Sequence, residues 1–379
     1  MPSRKNKRPL PGGVRRIIPA ALCAAGMMAA WLAAPATSAQ ARPLATGPSG
    51  VIHSVASVPG EKAALAYWTP ARLRAAKPAD VAIAGAKPHV LPATGTPPGK
   101  PGHVAGGLPD GRGLAVTRPA SASTPEAFPY PFPYDSFIAT PSLWPTYPYE
   151  VNGALFFTNS GTGFVCSATA VASASGTSNE NEIWTAGHCF VNAETNNHVV
   201  DSSAVFIPAY NGNVPNFDPF GEFVWTGSWE TATAWYFNRD FSEDEAAATV
   251  GTSSTTGRTL GQAVGWDGFA WNQSVNQQFV AFGYPAASPY NGLNMVVDIA
   301  ATAAQDSAGG ADATKPIAIG DPMTGGSSGG AWNISWSPSG PGYIDGHNDY
   351  KYTSQPAAMY SPYQDTLSNQ VRCFGKPSC

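Results

Sequence analysis

Glu182-Ile183-Trp184-Thr185-Ala186-Gly187-His188-Cys189 is the stretch on which the reading turns. A short apolar β-type run ends in small residues, then a histidine, then a cysteine. Ala186 and Gly187 let other backbone or a substrate approach closely. A disulfide at Cys189 would fix the backbone beside the imidazole. Of the six histidines, His53, His89 and His103 fall in an N-terminal region of different composition, leaving His188, His198 and His347. A lone histidine is usually structural; in this context His188 reads as a general base.

The second informative stretch is Met323-Thr324-Gly325-Gly326-Ser327-Ser328-Gly329-Gly330-Ala331-Trp332. Paired glycines flank two serines, and a β-type run follows. A Gly/Ser linker has this composition too, but a linker does not sit between core strands of one domain. A nucleophilic serine needs an exposed hydroxyl and backbone N–H groups converging on one point, and glycines permit the dihedrals of such a turn. Either serine is chemically competent; the Gly-x-Ser-Gly-Gly frame selects Ser328. The N–H groups of Gly326 and Ser328 then form a candidate oxyanion hole, where one donor is typically worth about 10²–10³ in rate.

Outward from these two stretches the chain reads as all-β. Short β-type runs between turn signals cover Val151–Phe157, Gly163–Ala172, Ile183–Thr185, Phe223–Trp225, Thr233–Phe237, Gln278–Phe282, Met295–Ile299, Ala331–Trp336 and Tyr343–Gly346. With 40 Gly and 36 Pro, turns are favoured over long helices. Periodicity alone does not separate a sandwich from a barrel.

The N-terminal third differs. Residues 1–125 carry 15 Lys+Arg against 3 Asp+Glu, and residues 126–379 carry 6 against 22. Either an acidic secreted domain follows a basic leader, or the basic segment docks on the acidic one. An acidic domain argues against nucleic acid as a partner. Arg4 to Arg16 form a basic region and residues 17–34 an apolar one, followed by small residues, so 1–39 reads as a signal peptide. A retained membrane anchor is the competing reading, weakened by the alanine content. No later run is long enough to span a membrane, so no membrane association is expected after cleavage. Residues 40–125, rich in Ala, Pro and Gly, read as a propeptide or linker, partly disordered, with a helical hint at 61–76 that Pro70 interrupts. The remaining domain is 126–379.

Export permits disulfides. Cys166, Cys189, Cys373 and Cys379 remain once Cys23 leaves with the leader, and three pairings are formally open. Pairing near neighbours gives Cys166–Cys189 and Cys373–Cys379. The close paired spacing of a zinc site is missing, and neither metal nor cofactor is expected.

Thr185-Ala186-Gly187-His188-Cys189 and Gly326-Ser327-Ser328-Gly329-Gly330 together resemble the two signature motifs of the trypsin-like serine peptidase family, in the family's order, over roughly residues 150–379. The tenor resembles secreted bacterial or fungal branches. The resemblance implies two six-stranded antiparallel β-barrels with the site in the cleft between them. It also implies that a Cys166–Cys189 disulfide braces the histidine loop, and that a third residue, an acid, lies between His188 and Ser328. The candidates cluster in Asn238–Val250. The family pattern, an Asp followed by an apolar residue and a small one at the opening of a strand, favours Asp244 over Asp240, with Glu245 standing in place of the usual apolar residue. Ser327 stands where many members carry an Asp that pairs with a freed N-terminus; activation by removal of the propeptide is expected instead.

The resemblance puts the base of a substrate pocket near Asp321 and Pro322, with the strand around His347 and Asp349 lining it. These residues give conflicting hints about preference, and ordinary structural roles are the competing reading. The expected protein is thus a secreted, extracellular serine endopeptidase, monomeric, whose partners are protein or peptide substrates and its own propeptide. The alternative is a non-catalytic binding module on the same fold, which would keep the barrels and lose the triad.

Overall fold

The computed structural model describes residues 50–79, 82–83, 90–91, 99–111, 132–173, 181–192, 197–198, 203–307 and 315–374. The signal-peptide reading of 1–39, much of 40–125 and Cys379 fall outside them. Six strands form the first half: β1 (Asn152–Asn159), β2 (Thr162–Ala170), β3 (Glu182–Thr185), β4 (Val205–Pro208), β5 (Phe223–Ala232) and β6 (Ala246–Ser253). They pair in the order β5-β4-β1-β2-β3-β6, and β6 returns to β5, so the sheet closes into an antiparallel barrel. Closure leaves no free edge among the six.

Period-2 alternation sends successive side chains of this barrel to opposite faces, and both faces are apolar. Leu155 and Phe157 of β1 point into the barrel with Cys166, Ile183, Phe206 and Trp225. Their neighbours Ala154 and Phe156, with Val165 and Ile207, point outward and meet Phe282, Tyr284 and Val297 of the second half. A strand buried on both faces needs apolar residues at both parities, and Ala-Leu-Phe-Phe at 154–157 supplies them.

The second half holds β7 (Gly268–Trp271), β8 (Gln278–Gly283), β9 (Val296–Asp306), β10 (Ile317–Gly320), β11 (Ala331–Ile334), β12 (Tyr343–His347) and β13 (Ala358–Ser361). The sheet runs β13-β10-β9-β8-β11-β12-β7. A single bridge, Tyr350 to Tyr360, and the His347 N–H bonded to Ser361 Oγ (2.9 Å) link its two sides. The fold is chymotrypsin-like: one closed six-stranded barrel and a second sheet, with few and short helices.

The β-type run Thr233–Phe237 predicts a strand, but Thr233–Asn238 is a helix. The residues have β propensity, yet the ladder of β5 stops at Ala232. The chain then has to turn toward β6. A short helix buries the consecutive aromatics Trp235 and Tyr236, which one strand face cannot do, and Arg239 ends it in the left-handed region (φ 56).

The described residues before 112 lie on the domain. Val51–Val55 pairs antiparallel with β5, and Ile52 is buried in the barrel core. Helices Glu61–Tyr67 and Pro70–Ala75 flank Trp68, which is buried and donates its Nε1–H to the Ser203 carbonyl (2.9 Å). Pro70 begins the second helix, where its missing N–H costs nothing. Lys77–Pro78 lies parallel to β2, and Ala82–Ile83 lies parallel to Lys351–Tyr352.

Candidate active site

The register of β3 against β6 assembles the first two groups. Thr185 pairs with Ala246 in an antiparallel ladder. The residues just after Thr185 and just before Ala246 therefore leave the barrel side by side. They are the 3₁₀ turn Gly187–Cys189 and the segment holding Asp244. Asp244 Oδ1 accepts the His188 backbone N–H (2.7 Å), and Oδ2 accepts Nδ1–H (2.9 Å). Gly187 makes this approach possible: a Cβ there would lie 2.8 Å from Asp244 Oδ1 and 2.6 Å from the Trp235 ring. His188 and Asp244 are both buried, and His188 Nε2 has no hydrogen-bond partner among the described residues. Burial opposes charge on this ring, but the acidic side chains beside it, Asp244 first, raise its basicity. Asp240 instead accepts the Ser242 N–H (3.0 Å) in the preceding turn.

Ser328 is held by β2. The Ser167 N–H donates to the Ser328 carbonyl (2.8 Å), and the Ser167 hydroxyl donates to the Gly326 carbonyl (3.0 Å) while accepting the Tyr284 N–H (2.8 Å). Cys166, next to Ser167, forms the disulfide with Cys189. The histidine turn and the serine turn are thus both fixed to one point on β2, and the Ser328 carbonyl lies 3.8 Å from Cys189 Sγ. Gly329 takes φ +84, and a Cβ on it would overlap Thr185 Oγ1 and the Ser167 carbonyl. Only glycine fits that junction. Ser167 was not singled out in the sequence; its position beside Cys166 was the available signal.

The carbonyl oxygen of Ala79 occupies the mouth of this site. It accepts the Gly326 N–H and the Ser328 hydroxyl, each at 3.4 Å, the long end of hydrogen-bond range. The Ala79 N–H donates to Val165 of β2 (2.9 Å). No sequence signal marked Ala79, because every residue has a carbonyl.

The four residues considered for a substrate pocket have diverse surroundings. His347 is buried behind Asp244: its Nε2–H donates to the Asp244 carbonyl (2.9 Å), and Nδ1 accepts the Trp184 Nε1–H (3.3 Å). Burial pushes its pKa down to about 4 against the pull of Asp244, so it is a neutral spacer. Asp349 is buried with Oδ1 3.4 Å from His188 Nδ1. Asp321 is buried, accepts the Met323 N–H on Oδ1 (2.6 Å), and has the Lys351 ammonium on its carbonyl oxygen (2.6 Å). Burial raises its carboxyl pKa, opposed by Lys351. Pro322 is half-buried beside it. Cys373 is disulfide-bonded, and its expected partner Cys379 lies outside the described residues.

Among the described residues, two groupings have metal-ligand residue types. In Cys166, His188 and Cys189 both sulfurs belong to the disulfide. In His188, Asp244 and Asp349 one atom from each lies within 4.8 Å of the others, but Asp244 spends both oxygens on His188 N–H groups. We assign no cation to either.

No family profile matches the chain, and no curated protein matches it. Solved structures do. A thermostable serine protease, AL20, from an extremophilic microorganism is 32% identical, with 59% of this chain aligned to 96% of that one at a TM-score of 0.51. The protease Anisep from Arthrobacter nicotinovorans is 30% identical, with 60% of this chain aligned to 95% of that one at a TM-score of 0.50.

Proposed function

This chain belongs to the trypsin-like serine peptidase family, and from that premise we propose that it is a secreted endopeptidase, made as a precursor, working through Ser328, His188 and Asp244. Its substrates are peptides. His188 Nε2 takes the Ser328 proton as the hydroxyl attacks the scissile carbonyl. Asp244 holds Nδ1–H, fixes the tautomer and stabilises the imidazolium. The Gly326 and Ser328 N–H groups receive the oxyanion. His188 then protonates the leaving amine, and water releases the acyl group.

The observation that carries this reading is the pair of hydrogen bonds from His188 to Asp244, which leaves Nε2 as the free basic atom. Labelling with a fluorophosphonate, located by mass spectrometry, tests it: Ser328 should react and Ser327 should not. The label is applied to the matured enzyme, from which the segment holding Ala79 has been removed; a matured chain that takes no label is a binding module instead. On a peptide library, Ser328→Ala should lower kcat on the order of 10⁶-fold.

The precursor reading rests on the segment across the site. Residues 1–39 are the export signal and 40–125 the propeptide. Within it, Lys77–Pro78 lies along β2, Ala79 puts its carbonyl on Gly326 and Ser328, and Ala82–Ile83 lies along Lys351–Tyr352. A substrate carbonyl needs the position that Ala79 fills, so activity requires this segment to leave. N-terminal sequencing of active enzyme tests this; an active form that retains Ala79 overturns it. Full activity and correct folding in a chain expressed without 40–125 would leave the propeptide no chaperoning role.

A further inference from the structure

Asp349 is an unusual neighbour for this site. Its side chain is completely buried, and its Oδ1 lies 3.4 Å from the same Nδ1 that Asp244 already holds at 2.9 Å. The backbone fixes it there: the Asp349 N–H donates to the Tyr360 carbonyl (3.1 Å), and the flanking Asn348 N–H donates to Gly330 (2.9 Å) in the serine turn. His347 and Asp349, two apart, both face the acid and the histidine, whereas Asn348 faces away to Trp332 and Phe282.

The two carboxyl groups are not equivalent. Asp244 accepts two N–H groups from His188, which stabilise its negative charge. Asp349 accepts none at ordinary hydrogen-bond distance among the described residues. One imidazolium balances one carboxylate; a second charge in this desolvated place would be uncompensated. It would also hold the ring protonated at neutral pH and remove the base that the reaction needs. An O–H on Asp349 solves both problems: the two carboxyl groups face the same His188 Nδ1, at 2.9 and 3.4 Å, and a hydrogen bond between them is among the influences that raise the Asp349 carboxyl.

We propose that Asp349 is a protonated positioning residue, which gives its proton to Asp244 as a hydrogen bond and keeps His188 available as a base. Burial first, then the Asp244 charge, raises the carboxyl of Asp349 well above the usual carboxylate range. The other titratable groups facing it are His188, neutral His347 behind Asp244, and Tyr350 next in the chain, whose phenol is itself pushed up by burial and by Asp306 and Asp349. As pH rises far enough to ionise Asp349, its O–H donor to Asp244 is lost and two carboxylates are left to repel one another beside His188, so the ring loses its positioning and activity falls. The proposal rests on the triad reading above.

The test uses the matured enzyme and two variants. Asp349→Asn keeps a neutral donor and should hold kcat within about tenfold of the native enzyme, whereas Asp349→Ala should lose about 10²-fold with KM little changed. The alkaline fall in kcat should be present in the native enzyme and missing from Asp349→Asn. Equal losses in the two variants, or an unchanged alkaline fall in Asp349→Asn, would overturn the proposal. A second readout does not depend on turnover. With ¹³Cγ-labelled aspartate, the resonance that disappears in Asp349→Asn should sit at the shift of a protonated carboxyl at neutral pH. A carboxylate shift there overturns the proposal; a protonated shift in a chain that never labels at Ser328 keeps it and overturns the triad reading instead.

Discussion

Asp244 grips His188 at two points, backbone N–H to Oδ1 at 2.7 Å and ring Nδ1 to Oδ2 at 2.9 Å. The first bond fixes the turn and the second fixes the tautomer. Replacing Asp244 with Asn turns one acceptor into a donor and favours the wrong tautomer, so kcat should fall by about 10⁴ with the fold retained. Asp240→Asn should leave kcat nearly unchanged, because Asp240 caps the turn at Ser242. Steady-state kinetics on one peptide substrate, with circular dichroism of both variants, checks the pair; comparable losses would remove Asp244 from its proposed role.

Ala79 is the second place where one hydrogen bond is informative. Its N–H anchors the covering segment on Val165. Ala79→Pro deletes that donor, a loss of about 0.5–1.5 kcal/mol, so the precursor should react with a fluorophosphonate roughly 2- to 10-fold faster. Equal labelling rates in variant and native precursor would mean that Ala79 does not guard Ser328.

What was legible in the sequence tracks how local each signal is. The histidine turn is a contiguous statement: strand, small residues, His188, Cys189. The serine turn is likewise written in its own glycines. The acid is not, because Asp240 and Asp244 sit in one polar cluster and only the β3–β6 register brings the second of them to His188. The same limit applies to His347 and Asp349. Their closeness to the site follows from the resemblance, but whether they face the substrate or the acid depends on which side of the strand the odd positions take. Thr233–Phe237 failed for a related reason: its β propensity was overruled by where the ladder of β5 ends. The covering segment had no local signal at all.

Gly329 joins the two halves of the site, and its substitution should show it. In Gly329→Ala the backbone stays at φ +84, and the new methyl meets Thr185 and Ser167. The strained dihedral alone costs on the order of 1–3 kcal/mol, and the overlap shifts Ser328. Both the unfolding midpoint and kcat should fall. Gly257→Ala, at φ +68 with open space around it, should cost stability by a similar strain and leave kcat nearly unchanged. A Gly329→Ala enzyme with native kcat would show that the serine turn tolerates displacement.

Buried acids set the pH dependence of stability. Burial raises Asp267 to about 8, although Asn333 Nδ2 donates to its Oδ2 (2.8 Å), and burial likewise raises Glu150 to about 8. In the unfolded chain such groups titrate near 4. Below that value both states are protonated and the native state is at full advantage. Between about 4 and 8 the unfolded chain releases protons that the native chain keeps. Stability therefore falls as pH rises through this window and levels above it. Thermal unfolding of the full chain carrying Ser328→Ala, which prevents self-digestion, should show the midpoint declining from mildly acid to mildly alkaline buffer. Adding Asp267→Asn removes one titrating group and should flatten that decline. A midpoint that climbs over the same range would mean that these carboxyls are ionised in the folded protein.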